Sequence, residues 1–335
     1  MRMFMRDVVT LGDINVDIIA RVPYYPSLGS DSLAERVDIR AGGSAANTAI
    51  VLSKLGLSVG MIARVGVDIF ANYALADLRE AEVSLSCVQR DEGAMTGLVF
   101  AAVTPDGERT FFSCRGANAR TEPELADQGH IRQAQVLHVS GYAFVESPQR
   151  DAAHQAIEAA HQAGVSVTVD LGVEVMTTVR EEIVTMLSMV SMVYPNRAAA
   201  EWLTGKRSTE EAVEALLSYG PEVVGLKLRD QGCVIGSAAG LLRVPAFTVD
   251  AVDDTGAGDS YNAGLILGRL GGLSLREAGL LANALGALAT TVIGAGISLP
   301  GREAALSFLE KQRNETTWQD WSEELGKVCE FLAKR

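Results

Sequence analysis

Apolar positions along this chain recur in two rhythms, and the switches between them predict the elements. A compact apolar run at 8–12 reads as a strand. Beyond it, polar residues at 13, 15 and 17 alternate with apolar ones at 14, 16 and 18, the period of a strand with one wet face. A turn-rich loop at 23–29 leads into a second alternating stretch that ends near Arg40. Helical spacing begins after Ala41-Gly42-Gly43 and runs to about Leu55, with Ser44 placed as the cap and Gly56 as the stop. A strand at 59–65 and a helix at 68–81, with Leu75 and Leu78 on one face, come next.

The runs 98–103 and 110–114 flank Pro105-Asp106-Gly107-Glu108, which predicts a hairpin. From 136 onward, short apolar strands at 136–139, 165–171, 191–194 and 223–228 alternate with helical segments at 148–163, 174–186 and 197–203. Strand–helix alternation predicts an α/β domain, a parallel sheet with helices on both faces, whose ligands bind beyond the carboxyl ends of the strands. An apolar segment at 244–252, a helix at 260–270, a small-residue helix at 275–293 and a helix at 302–313 follow. No repeat, low-complexity segment or linker divides the chain, so one domain over 1–335 is expected.

The tail carries its own pattern. Trp318, Trp321, Leu325, Val328 and Leu332 recur at helical spacing, while Glu323, Glu324, Lys327, Glu330 and Lys334 lie largely off that stripe. An amphipathic helix over 317–334 with a buried Trp face is predicted. It either docks beside the 302–313 helix or adds contacts across a subunit interface.

Composition changes the picture mainly by exclusion. A net charge of −13 and a pI of about 4.9 argue against nucleic acid and anionic membrane as partners. They do not argue against ATP, which local amides and a metal ion can hold. Cys87, Cys114, Cys233 and Cys329 lie far apart, and no apolar leader or spanning run is present, so reduced thiols in a cytoplasmic protein are expected. His130, His138, His154 and His161 show no metal-ligand spacing.

Candidate chemistry concentrates in Asp253-Asp254-Thr255-Gly256-Ala257-Gly258-Asp259-Ser260-Tyr261-Asn262-Ala263-Gly264. A Gly-Ala-Gly turn at a helix start leaves unpaired N–H groups pointing one way, an arrangement suited to anions. Asp259 at its mouth is either a helix cap or a base for an attacking hydroxyl. Gly42-Gly43-Ser44-Ala45-Ala46-Asn47 is either a plain strand-to-helix turn or a place where backbone approaches a ligand closely. Asn15 and Asp17 are either the wet face of a strand or hydrogen-bonding groups for a polyhydroxylated ligand.

The later of these stretches closely resembles the C-terminal signature of the PfkB/ribokinase family of small-molecule kinases, and Gly42-Gly43-x-x-x-Asn47 resembles its N-terminal one. The likeness runs from Val8 to about Leu309. It implies a ribokinase-like three-layer α/β/α sandwich with a mostly parallel sheet. It also implies a small β-sheet lid, from about 13–41 and 92–115, that excludes water from the acceptor. The implied activity is ATP-dependent phosphorylation of a hydroxyl on a sugar or sugar-like molecule, with ATP and Mg2+, in a homodimer. By the same likeness Asp259 is the base, and the amides of Gly256, Ala257 and Gly258 form the anion hole. Asn15, Asp17, Gly42, Gly43, Asn47 and Asn118 serve the acceptor. Arg115 is either a surface charge or the holder of an anionic group on it. Asn196, Lys227, Arg229, Gly232, Thr255, Gly258 and Asn283 serve the nucleotide. Asp253 with Gly294 and Ser298 would hold a monovalent cation such as potassium.

Three positions depart from the family's pattern. Ala199 stands where Glu is expected, with Glu201 about half a turn away; Arg229 stands where Gly is usual; Asp254 stands where Thr is common. All three bear on metal and nucleotide handling. Other readings stay open. A dinucleotide-binding oxidoreductase needs a glycine where Tyr261 stands, and a Walker loop needs one where Ala200 stands. A catalytically inactive sugar-binding regulator fits the departures. A nucleoside kinase of the same family fits Ser44, where ribose-type members often carry Lys.

Overall fold

Four consecutive buried positions in strand β1 (Arg6–Leu11) place it in the interior of a sheet covered on both faces. Period two then divides its side chains. Val8 belongs to one apolar cluster and Val9 to the other, on the opposite face. The structure, a computed structural model, describes residues 6–106, 108–123, 125–172 and 179–334, the side chains of 125–127 excepted.

From β1 the chain leaves the main sheet for β2 (Asn15–Arg21) and β3 (Arg36–Gly42). It returns through α1 (Ser44–Lys54), β4 (Val59–Gly66), α2 (Ile69–Glu80) and β5 (Ser84–Asp91), then leaves again for β6 (Gly97–Val103) and β7 (Arg109–Cys114). Alternation resumes with α3 (Leu125–Arg132), β8 (Ala134–Ser140), α4 (Gln149–Ala163), β9 (Ser166–Leu171), α5 (Arg180–Met186) and β10 (Met192–Pro195). Then come α6 (Arg197–Thr204), α7 (Thr209–Ser218), β11 (Val223–Lys227), β12 (Cys233–Ser237) and β13 (Gly240–Val244). Four helices finish the chain: α8 (Ala257–Leu270), α9 (Leu275–Ala289), α10 (Arg302–Arg313) and α11 (Ser322–Ala333).

The main sheet has the order β13-β12-β11-β10-β9-β8-β1-β4-β5, parallel except for the antiparallel β12 and β13 at one edge. One apolar cluster fills the space between the sheet and α1, α2, α8, α9, α10 and α11. The other lies between the opposite face and α3 to α7. This is the expected three-layer α/β/α arrangement. The two excursions from the main sheet meet in a second sheet of order β3-β2-β6-β7. Its outer pairs are antiparallel and its central pair, β2 with β6, is parallel.

Several expectations need adjustment. Beyond Val244 the apolar segment 244–252 is irregular, and Asn283 Nδ2 donates to the carbonyls of Val244 and Pro245 at 3.2 and 2.8 Å. Helix α9 stops at Ala289, four residues before the expected end at 293, and the Thr290 carbonyl there accepts the amides of Val252 and Asp253. The sequence patterns missed β5, α3, α7, β12 and β13. Gly107 and the first part of the helix expected at 174–186 lie outside the described residues. Among the described residues, no helix is long and apolar enough to cross a membrane.

The tail is two elements rather than one helix. A 3-10 turn, Thr316–Trp321, precedes α11. Trp318 is buried and stacks on Phe247 with ring centroids 4.0 Å apart, and Phe247 in turn meets Phe308 of α10 edge-on. The Arg276 guanidinium lies 4.0 Å over the Trp321 ring. The apolar stripe is thereby spent within its own domain, against α9, α10 and the 244–247 strap.

Candidate active site

Gly43 adopts φ 103°, and a Cβ there would strike the Asp13 carbonyl, so the entry into α1 requires glycine. Gly43, not Ser44, is the N-cap, and no side chain caps the helix. The Ser44 hydroxyl is thus available elsewhere. It donates to Asp259 Oδ1 at 2.7 Å, and Asn47 Nδ2, one turn further along α1, donates to Oδ2 at 2.8 Å. Asp259 comes from the first turn of α8, whose N-cap is Gly256 at φ 78°, a turn that sits directly on Leu299. The reading of Asp259 as a cap is therefore overturned: its carboxylate is bonded directly to α1. Burial first, and then the charge of Asp170, push its carboxyl up to about 6, against the opposing hydrogen bonds of Asn47 and Ser44 and the charge of Lys227.

At the head of α8 the Ala257 amide bonds the Asp254 carbonyl at 3.2 Å. Among the described residues the amides of Gly256, Gly258 and Asp259 take no protein acceptor. Of the three amides expected to be free, Gly256 and Gly258 are, Ala257 is not, and the amide of Asp259 is free in addition.

On the other side of the cleft, Asn118 accepts from the Ile14 amide at 2.9 Å and donates to Asn15 Oδ1 at 2.8 Å. Gly97 lies against both side amides, and a Cβ there would collide with them. Asn118 thus orients Asn15. Asp17 lies against Gly42 in the same way. Although Asp17 keeps some contact with solvent, burial and the charges of Asp259 and Asp253 push its carboxyl up to about 7. Arg115 is largely buried rather than a surface charge, and its Nη1 makes no hydrogen bond among the described residues. It grips Asp13, at 2.9 and 3.2 Å from Nη2, and also bonds Gln149. Asn47 likewise has both ends committed to protein, since its Oδ1 accepts from the Gly296 amide at 3.2 Å.

The side expected to face nucleotide is organised by Lys227. Its ammonium donates to Asp170 Oδ1 at 2.6 Å and Asn262 Oδ1 at 3.2 Å, and lies 3.5 Å from where a Cβ on Gly258 would stand. Asn196 caps α6 through the Ala199 amide at 2.7 Å. Ala199 is fully buried, and Glu201 sits outside, 3.6 Å from Arg207, so it does not replace the missing Glu. Arg229 has φ 55°, the left-handed region where glycine is at ease, and its side chain is exposed. Gly232, at φ 80°, is pressed against the Val244 carbonyl. Asn283 pins the 244–245 strap, as described above.

Two of the three expected cation residues, Asp253 and Gly294, are bonded to each other. Asp253 Oδ2 accepts the Gly294 amide at 2.9 Å, whereas Ser298 is exposed. Asp253 Oδ1 accepts the Thr255 amide and hydroxyl at 3.0 and 2.7 Å and Arg109 Nη2 at 3.0 Å. Burial works against its charge, but these donors hold the carboxyl below its ordinary value. Oδ1 thus takes three donors, the Arg109 guanidinium among them, and Oδ2 takes the Gly294 amide. Among the described residues no group of His, Cys, Asp and Glu is arranged to hold a metal ion.

Sequence reasoning missed Asp170, Arg109 and the bond from Ser44 to Asp259. Asp170 ends β9 at the carboxyl edge of the sheet, a position that the strand pattern could have flagged. Nothing local marks Arg109.

With this geometry in place, comparison with known proteins is informative. A family model described as pfkB family carbohydrate kinase matches residues 5–302. Fructokinase-1 of Zea mays is 33% identical over 324 residues, covering 91% of this chain and 98% of that protein. The ribokinase of Haemophilus influenzae is 28% identical over 316 residues, covering 91% and 99%. The solved structure of Arabidopsis thaliana ribokinase complexed with ribose and ATP superposes with a TM-score of 0.80 at 25% identity, covering 90% of this chain and 98% of that one.

Proposed function

The chain belongs to the pfkB family of carbohydrate kinases, which use ATP to phosphorylate a sugar hydroxyl, and from that premise we propose how this member does so. Asp259 takes the proton of the acceptor hydroxyl as its oxygen attacks the γ-phosphate of ATP. The observation that carries the reading is the Asp259 carboxylate itself: buried, gripped by Ser44 and Asn47, and raised to about 6 at the mouth of a helix with unused amides. A carboxyl at that value is ionised at neutral pH yet basic enough to accept a proton.

The amides of Gly256, Gly258 and Asp259 then meet the charge that develops on the transferred group, and the Lys227 ammonium stands beside them. Asp170 keeps Lys227 aimed, since an ammonium held by a carboxylate at 2.6 Å loses rotamer freedom in advance. Asn15 and Asp17 bond the acceptor's hydroxyls. Asn47 and Asn118 act one step back, on Asp259 and Asn15. Magnesium, arriving with ATP, would be held by phosphate oxygens and water, as this ion prefers. Asn196, Arg229, Gly232, Thr255 and Asn283 frame the nucleotide side.

The pairing of Arg115 with Asp13 favours an uncharged acceptor, because the carboxylate already neutralises the guanidinium charge. Fructose and ribose are therefore the first sugars to test. ADP formation across a panel of sugars, sugar phosphates and nucleosides decides the matter. Turnover with a neutral sugar supports the proposal, and turnover confined to nucleosides or to phosphorylated sugars overturns it.

We also place a second copy of the chain against the lid. Ile39, Ile18, Phe100 and Phe112 form one row across the four strands, and Ile39, Phe100 and Phe112 are exposed. An exposed apolar row of this kind marks a contact surface. Light scattering that gives a dimer for the wild type and a monomer for Phe112→Lys supports this, and a monomeric wild type overturns it.

A further inference from the structure

Arg109 opens β7, the outer strand of the small sheet, and reaches across to the turn that leads into α8. Its Nη2 donates to Asp253 Oδ1 at 3.0 Å, and its Nη1 meets Asp254 Oδ1 at 2.6 Å and Thr255 Oγ1 at 3.1 Å. Asp253 is only 13% exposed and Arg109 only 26%, so this ion pair is far less screened than a surface one. Two carboxylates adjacent in sequence repel one another, and the guanidinium between them removes that cost. Asp254, the residue that departs from the family's pattern, therefore has its counter-charge in Arg109. A second lid arginine touches the same region: Arg40 packs its stem over Gly294, the residue whose amide bonds Asp253.

We propose that Arg109 is a positioning residue. It latches the lid to the Asp253–Gly256 turn and sets the anion-binding amides of α8. It also supplies, from within the chain, the positive charge that a bound potassium ion would otherwise bring. The turn connects directly to Gly256, so what holds Asp253 and Thr255 also holds the first amides of the helix. Lid closure and formation of the phosphate cradle become one event, joined by a single side chain. The kinase function of the site is the premise of this proposal, but the test below does not need turnover.

Three amides report the latch in the ligand-free protein: Thr255 to Asp253 Oδ1, Gly294 to Asp253 Oδ2, and Ala257 to the Asp254 carbonyl. Hydrogen exchange at these sites in Arg109→Ala is expected to accelerate by ~10-fold, the scale of a lost charge-assisted bond, with the rest of α8 unchanged. Arg109→Lys, which keeps the charge and loses the fork, is expected to fall between. Unchanged exchange in Arg109→Ala overturns the proposal. If that variant loosens the whole fold, Asp254→Asn decides instead: local acceleration at the same amides supports the latch, and none overturns it. Potassium chloride compared with tetramethylammonium chloride at equal ionic strength should leave the wild-type rates alone and slow exchange in Arg109→Ala. Potassium-specific protection of the wild type, or none in Arg109→Ala, overturns the claim that the guanidinium replaces the ion. A wild type that shows the latch but phosphorylates no sugar would instead count against the proposed activity.

Discussion

Asn47 and Asp259 lie 212 residues apart in sequence and meet at 2.8 Å, amide to carboxylate, where the first turns of α1 and α8 cross. The bond ties the chain's two signature stretches into one unit. It stabilises the charged form of a carboxylate that burial would otherwise neutralise. The same Asn47 accepts the Gly296 amide, so the loop beyond α9 is held to that unit as well.

Asp259→Asn is expected to lower turnover by ~10²–10⁴-fold with acceptor affinity nearly intact, the range for losing a positioned base. Steady-state ADP release and separate sugar titration measure the two quantities. A variant with more than about a tenth of wild-type turnover would show that Asp259 is not the base.

The pH profile should carry an acid limb near 6, because Asp259 must be ionised to accept a proton and its carboxyl is raised to about 6. Asn47→Ala removes a hydrogen bond to the charged form and should move that limb up by ~1 pH unit. Recording kcat against pH for both proteins checks this, and coincident limbs would contradict it.

The same shift has a cost in stability. With a folded value of about 6 against an ordinary 3.8, the Asp259 contribution is fully present below 3.8 and is lost as pH rises through 6. At pH 8 Asp259→Asn should therefore be the more stable protein, by about 2–3 kcal/mol, and near pH 3 the two should converge. Urea denaturation at the two pH values tests the sign. A less stable variant at pH 8 would show that Asp259 is not strained by its surroundings.

Asp17→Ala is expected to raise the acceptor KM by ~10-fold or more while ATP binding changes by less than about 2-fold, since a site built to bond a hydroxyl loses selectively when that group goes. Isothermal titration of each ligand separates the two. Equal loss for both would make Asp17 a structural residue.

Trp318→Ala should destabilise the domain by about 3–5 kcal/mol, the usual cost of removing a large buried aromatic, with KM values unchanged. Its stacking on Phe247 carries the expectation, and thermal melting measures it. An unchanged melting temperature would mean that the tail docks without contributing to the fold.

Local rules were enough for the alternating elements from β8 to β11 apart from α7, for the hairpin strands β6 and β7 and for the two signature turns. Each depends on spacing within a few residues: period two, period 3.6, or a glycine where φ is positive. The same rules failed where a distant partner intervened. The Trp stripe has a helix's period, yet Trp318 reaches its place over Phe247 from a 3-10 turn. Ser44 has a cap's composition, and its hydroxyl goes to Asp259 instead.

The sequence by itself determined the family and the layered α/β fold, and it singled out Asp259 as a candidate, because these are written in residue type and near spacing. Only the tertiary structure decided what surrounds that carboxylate. Asp170, Lys227 and Asn47 converge on it from strands and helices far apart in the chain, and Arg109 arrives at Asp253 from a different sheet. A charge acts through space over a few ångströms, and which charges come that close is set by how the layers pack, which no local spacing encodes.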